Sequence, residues 1–135
     1  MMAEYMLDTD IASYIMGSKS RTVLEKLQTV PTSAVCISAI TKSEITYGVE
    51  ISPRRERDRA ALEFLLRHVQ VLDYPVEAAA DYGQIRAALR KLGALIGPND
   101  TLIAAHARCL GLTLVTNNTR EFGRVPGLKI ENWTE

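Results

Sequence analysis

Ile96-Gly97-Pro98-Asn99-Asp100-Thr101-Leu102-Ile103-Ala104-Ala105-His106-Ala107-Arg108 reads as a turn that hands an aspartate to the first turn of an amphipathic helix. Gly97 and Pro98 break whatever precedes them, and proline suits a helix entrance because its missing N–H would have no partner there in any case. Asp100 then falls where the positive end of the helix dipole favours a carboxylate. It also lies on the stripe of Ile103 and Ala107, which should face a core. An acid that only caps its helix points outward, whereas this one is aimed at something buried. For any single such residue the plainer reading is a helix-start acid stabilising its own helix. Two more acids elsewhere in the chain shift that balance.

On both sides of this stretch the chain alternates short apolar runs with helical patterns. Glu4 to Leu7 reads as a first strand ending at Asp8-Thr9-Asp10, and Ile11 to Met16 as a short helix stopped near Gly17. Ser20 is placed to cap a second helix with Val23, Leu24 and Leu27 on its apolar face, and Pro31 ends it. Ala34 to Ile37 is a second strand, apolar throughout as buried parallel strands are. Ser38 to Ile51 is helical, with the stripe Ile37, Ile40, Glu44, Tyr47, Gly48, Ile51, which sets a glutamate inside an apolar face. After Pro53, the run Arg54 to Arg59 opens a helix whose inner face is Ala61, Leu62, Leu65 and Val69, its mixed charges reading as a solvated side. Val69 to Leu72 makes a third strand. Val76 to Leu92 makes a long helix with the stripe Ala78, Tyr82, Ile85, Leu89, Leu92, ended by Gly93. Leu112 to Val115 is a fourth strand, Thr116 to Phe122 a polar turn, and Leu128 to Ile130 a weak last strand.

Strands separated by helices at this spacing predict an α/β fold: an α/β/α sandwich around a central parallel sheet of four to five strands. At 135 residues, 1–135 reads as a single domain. Ligands of such sheets bind beyond the strand C-termini, where the strand order reverses. Asp8, Asn118 and Glu121 follow strands at that end, and Asp100 reaches it from a helix N-terminus.

Lys plus Arg equals Asp plus Glu, sixteen of each, so no overall field attracts a polyanion and any nucleic-acid contact needs a local basic surface. The two cysteines, Cys36 and Cys109, lack metal-ligand spacing and read as free buried thiols in a reducing cytosol. The first residues lack a basic region and a long apolar run, and no segment reaches membrane-spanning length. A cytoplasmic protein is expected.

Glu44 is the most informative single residue. A carboxylate in an apolar stripe is costly unless a cation or dense hydrogen bonding compensates, although alone it could also snorkel outward or pair with an arginine. Asp8 alone could cap the next helix. Asp8, Glu44 and Asp100 converging on one crevice have no good purely structural explanation, because crowded like charges repel and a divalent cation is the usual remedy. Oxygen-only ligands point to Mg²⁺, with Mn²⁺ able to substitute, and such ions suit phosphoryl transfer. His106 lies on the stripe of Leu102, Ile103 and Leu110 and reads as a hydrogen-bonded core histidine. Arg86 and Arg90 are candidates for phosphate binding or for plain solvated helix positions.

Met6-Leu7-Asp8-Thr9-Asp10, Ile37-Ser38 through Ser43-Glu44 to Tyr47-Gly48, Gly97-Pro98-Asn99-Asp100 through His106-Ala107-Arg108, and Thr116-Asn117-Asn118-Thr119-Arg120-Glu121-Phe122 together resemble the PIN-domain endoribonucleases that serve as toxins of VapBC-type toxin–antitoxin pairs. The resemblance covers nearly the whole chain. It implies the PIN-like α/β/α fold, catalytic acids at Asp8, Glu44 and Asp100, and Mg²⁺ held by Asp8 and Asp100 with Glu44 ligating through water or orienting the attacking hydroxide. Where the family often carries a fourth acid, this chain has Asn117 and Asn118, with Glu121 the nearest carboxylate; Glu121 is expected to act through water and tune the site. The resemblance further implies cleavage of RNA to a 5′-phosphate and a 3′-hydroxyl, with tRNA, and the initiator tRNA in particular, as substrate. A homodimer and a VapB-type antitoxin are the implied protein partners. Arg86, Arg90, Arg108, Arg120 and Asn118 are the candidate RNA contacts.

Two other readings compete. Asp8-Thr9-Asp10 after a strand mimics the nucleophile and acid/base pair of a haloacid-dehalogenase-like phosphatase, but this leaves Glu44 unexplained. A non-catalytic RNA-binding module would have no need of three intact acids.

Overall fold

The computed structural model describes residues 2–135. Its framework is a five-stranded parallel sheet made of β1 (Tyr5–Leu7), β2 (Val35–Ser38), β3 (Gln70–Leu72), β4 (Thr113–Val115) and β5 (Lys129–Glu131). The spatial order is β3-β2-β1-β4-β5, and every neighbouring pair is parallel. Leu7 stands in register with Ile37 on one side and Val115 on the other. The strand order reverses between β1 and β4, so the loops after these two strands flank the crevice.

Helices α1 (Thr9–Gly17), α2 (Arg21–Thr29), α3 (Ala39–Glu50), α4 (Arg55–Leu66), α5 (Ala78–Lys91), α6 (Pro98–Leu110) and α7 (Thr119–Phe122) connect and cover the strands. Successive strand residues point to opposite faces, which gives two cores. Leu7, Val35, Ile37 and Val115 pack with Ile11, Ile15, Val23, Leu62 and Leu65 on one face. Met6, Cys36 and Leu114 pack with Ile85, Leu89, Ile103, Ala107 and Phe122 on the other. The sheet is therefore buried on both sides, which is why its strands read as unbroken apolar runs.

Local signals place most helix ends. Ser20 accepts from the Val23 amide, as its position ahead of an apolar stripe predicts. Gly111 ends α6 at φ 69°, a conformation that costs a glycine nothing. The Arg108 guanidinium at the far end of α6 reaches Asp81 and Gln84 in the first half of α5, so the two helices run antiparallel.

Several expectations need correction. The buried face of α3 is Thr41, Ile45 and Val49, one residue round from the expected stripe. Tyr47 and Ile51 are instead 66% and 64% exposed. Apolar residues occur on both sides of this helix, so periodicity alone could not choose between two stripes. Leu92 lies beyond α5 and is exposed, and Leu110 on α6 is 44% exposed. Cys109 is only partly buried, whereas Cys36 is fully so. The polar turn after β4 contains α7, and β5 sits one residue later than expected. No helix of the described residues is long and apolar enough to cross a membrane.

Candidate active site

Each acid reaches the crevice from a different element. Asp8 follows β1 and caps α1: it is only 3% exposed, and its Oδ1 accepts from the Ile11 amide at 2.8 Å. Asp100 is the third residue of α6, half-buried, its approach set by Pro98 at the first helical position. Glu44 stands in the second turn of α3, at the edge of the buried face rather than within it. Together with Thr9, Asp10, Asn118 and Phe122 they line a cavity of about 180 Å³.

Electrostatics mark the same place. Burial pushes the Asp8 carboxyl up to about 6, with the Thr116 hydroxyl and Ile11 amide pulling it down and the charges of Asp10 and Asp100 adding to the rise. Asp100 is also pushed up to about 6, first by burial and then by Glu44, Asp10 and Glu121. The protein thus keeps several like charges close together without a cationic side chain among them, an arrangement that favours a bound cation.

Glu44 does have partners. Thr9 Oγ1 donates to its Oε1 at 2.6 Å, and Asn99 Nδ2 donates to its Oε2 at 3.3 Å. Glu121, on α7, accepts from Asn118 Nδ2 at 3.0 Å and is near enough to raise Asp100, but does not itself line the cavity. Asn118 occupies the cap position of α7, and its backbone N–H donates to Thr116 Oγ1.

The arginines divide. Arg108 spends its guanidinium on Asp81, Gln84 and the Pro126 carbonyl, and stands about 12 Å along α6 from Asp100. It fastens α6 to α5 rather than facing the crevice. Arg86 bonds the Tyr82 hydroxyl and lines a separate shallow depression with Arg90 and Lys91, which shares no residue with the acidic cavity. Arg120 is exposed on α7. His106 is fully buried, its Nδ1 2.8 Å from Ser38 Oγ and its ring edge-on to Tyr74, and burial lowers its pKa.

Sequence reasoning passed over Thr9, Thr116 and Asn99, and gave Asp10 a role only in the phosphatase alternative. Thr9 and Asn99 adjoin Asp8 and Asp100 in the chain, and that adjacency is the one local signal they carry. Their partner Glu44 is distant in sequence, so the contacts themselves leave no local pattern.

The donor set fits a hard divalent cation, being carboxylates and amide oxygens without a nearby histidine or cysteine. Among the described residues no three acidic, histidine or cysteine side chains stand close enough to enclose an ion by themselves. An ion here would therefore be held partly through water, as Mg²⁺ commonly is.

Comparison with known proteins agrees with this geometry. The PIN domain family matches residues 5–128. The tRNA(fMet)-specific endonuclease VapC of Salmonella typhimurium is 44% identical over 132 residues, 98% of this chain and 99% of that protein. Ribonuclease VapC2 of Haemophilus influenzae is 46% identical over the same shares. The crystal structure of DNA-bound VapBC from Salmonella typhimurium superposes with a TM-score of 0.91 at 44% identity, covering 98% of this chain and 99% of that one. The chain belongs to the PIN-domain family, in its VapC ribonuclease branch. The phosphatase alternative falls with this match, and Glu44, which it left idle, joins the crevice.

Proposed function

We propose that this chain is a divalent-metal-dependent endoribonuclease and the toxin of a VapBC-type toxin–antitoxin pair, acting in the cytoplasm on tRNA. The observation that carries the reading is the cavity at the β1/β4 switch point, where Asp8, Glu44 and Asp100 meet beside Asn118. Residues 1–135 act as one domain. The initiator tRNA is the first substrate to test, given the names of the Salmonella and Shigella relatives.

Asp8 and Asp100 would hold the ion, Mg²⁺ or Mn²⁺ in its place, with Glu44 engaging it through water. When bound, such an ion supplies positive charge for the phosphate and an activated water. The chain's own groups do the rest. Asp8 is anchored by the Ile11 amide and cannot swing out of the crevice. Glu44, held by Thr9 and Asn99, orients the attacking water on the phosphate. Glu121 adds charge from behind Asn118 and tunes ion affinity. Arg86, Arg90 and Arg120 are the proposed contacts to the RNA backbone, outside the cavity.

A VapB-type antitoxin silences the protein, a reading supported by the VapBC complexes among its structural relatives, and the chain is proposed to act as a homodimer. The antitoxin's proposed seat is the groove of about 440 Å³ between α1, α2 and α4, where Ile15, Leu24, Leu27, Val30, Phe64 and Leu65 form an apolar floor beside Ser18, Gln28, Thr32 and His68. A helix offering large apolar anchors fits such a groove. Expression without an antitoxin should arrest bacterial growth, and Asp8→Asn at equal protein level should relieve it. A wild-type chain tolerated at high expression would overturn the toxin reading.

A further inference from the structure

Glu44 is gripped from both sides by the chain neighbours of the other two acids. Thr9, which donates to Oε1 at 2.6 Å, follows Asp8; Asn99, which donates to Oε2 at 3.3 Å, precedes Asp100. The starts of α1 and α6 are thus joined to the second turn of α3 through one carboxylate. Thr9 Oγ1 also lies 3.3 Å from the buried Thr41 hydroxyl. A hydroxyl has one proton, and Thr9 is the donor in both contacts, so the short bond to the Glu44 carboxylate takes that proton and the longer contact to Thr41 is the weaker alternative.

Such a grip is needed because Glu44 and Asp100 repel each other. A half-buried glutamate at the edge of a helix face would otherwise turn its flexible side chain into water, away from Asp100. Each Glu44 oxygen accepts one of these bonds, which leaves further lone pairs on both for water in the cavity.

We propose that Thr9, assisted by Asn99, is a positioning residue that sets Glu44 in place before any ion or RNA arrives. This rests on the nuclease reading of the same site. Thr9 dominates because its bond is short and made to a charged acceptor, and the Asn99 bond is longer and exposed.

The test is Mn²⁺ binding to the full chain without RNA, followed by electron paramagnetic resonance of the free ion, with thermal unfolding as a check on the fold. Thr9→Val should raise the Mn²⁺ concentration for half-saturation by about 10- to 100-fold, the range for partners that orient a ligand. Thr9→Ser, which keeps the hydroxyl, should bind close to wild type, and Asn99→Ala should lose severalfold. In a Glu44→Ala background neither Thr9→Val nor Asn99→Ala should weaken binding further, because both act through Glu44. Wild-type affinity in Thr9→Val, an equal loss in Thr9→Ser, or additive losses in the Glu44→Ala background would overturn the proposal. Should Thr9→Val fail to fold, Asn99→Ala with and without Glu44→Ala decides alone. A wild-type chain that binds Mn²⁺ but cuts no RNA would overturn the nuclease reading while leaving the positioning intact. One that binds no Mn²⁺ would overturn both.

Discussion

Asp8→Asn should stabilise the metal-free protein at pH 8 while abolishing cleavage. The wild-type carboxyl is almost completely buried, and its pKa rises from 3.8 to about 6 on folding, mainly through that burial. A carboxyl raised in the folded state contributes its stability below the unfolded value and loses it as pH climbs through the folded one. A rise of about two units, at 1.36 kcal/mol each, costs the ionised protein about 3 kcal/mol above pH 6. Asparagine removes the charge at nearly constant volume, and its side-chain oxygen can still accept from Ile11 as an equally good cap. The variant should therefore gain up to about 3 kcal/mol at pH 8, or roughly 10 °C in Tm for a chain this size. The assay is urea and thermal unfolding of both proteins in EDTA from pH 4 to 8. The gap should close as pH falls, with most of it gone by pH 4, where Asp8 is protonated in the folded state and about half protonated in the unfolded one. His106, whose pKa burial lowers, costs stability as pH falls through its ordinary range, but it is common to both proteins and cancels. A variant no more stable than wild type at pH 8, or a gain independent of pH, would refute the claim that Asp8 is held ionised against its surroundings for function.

Glu121→Gln should raise the Mg²⁺ needed for half-maximal cleavage yet retain turnover, and a wild-type Mg²⁺ titration paired with failure of Asn118→Ala would give the fourth position to Asn118. Arg108→Ala should cost about 1–2 kcal/mol by removing its charged hydrogen bonds to Asp81, Gln84 and Pro126, read by urea unfolding, with the salt dependence of RNA binding unchanged. Alanine at Arg86, Arg90 or Arg120 should instead flatten that salt dependence by about one log–log unit for each RNA phosphate the arginine neutralises. Phe64→Asp should weaken co-purification with a co-expressed VapB-type antitoxin without reducing RNA cleavage, since Phe64 lines the groove between α1, α2 and α4 and not the acidic cavity.

Much of this molecule is written in short-range signals. The strands were legible because burial on both faces demands unbroken apolar runs, and Ser20, Pro98 and Gly111 mark helix ends by local backbone chemistry. Asp8 and Asp100 could be placed because each follows a recognisable chain break. Glu44 was singled out on a stripe that proved to be one residue off, and it meets the other acids at the border of α3 all the same. The bonds that hold it join residues 35 and 55 positions apart, and no periodicity reports such contacts. Arg108 misled for a related reason: adjacency to the Asp100 helix in sequence concealed that it sits at the opposite end, paired to α5. A basic residue's solvent or partner is a tertiary fact.

The chemistry of the cut ends bears on the whole account at once. Purified protein should cleave initiator tRNA only with Mg²⁺ or Mn²⁺ present, stop on adding EDTA, and leave a 5′-phosphate and a 3′-hydroxyl, because water attacks the phosphate in a metal-assisted displacement. Metal-independent cleavage, or fragments ending in a 2′,3′-cyclic phosphate with a 5′-hydroxyl, would mean that the RNA's own 2′-hydroxyl is the nucleophile and that the acids of this crevice do not serve the purpose assigned to them.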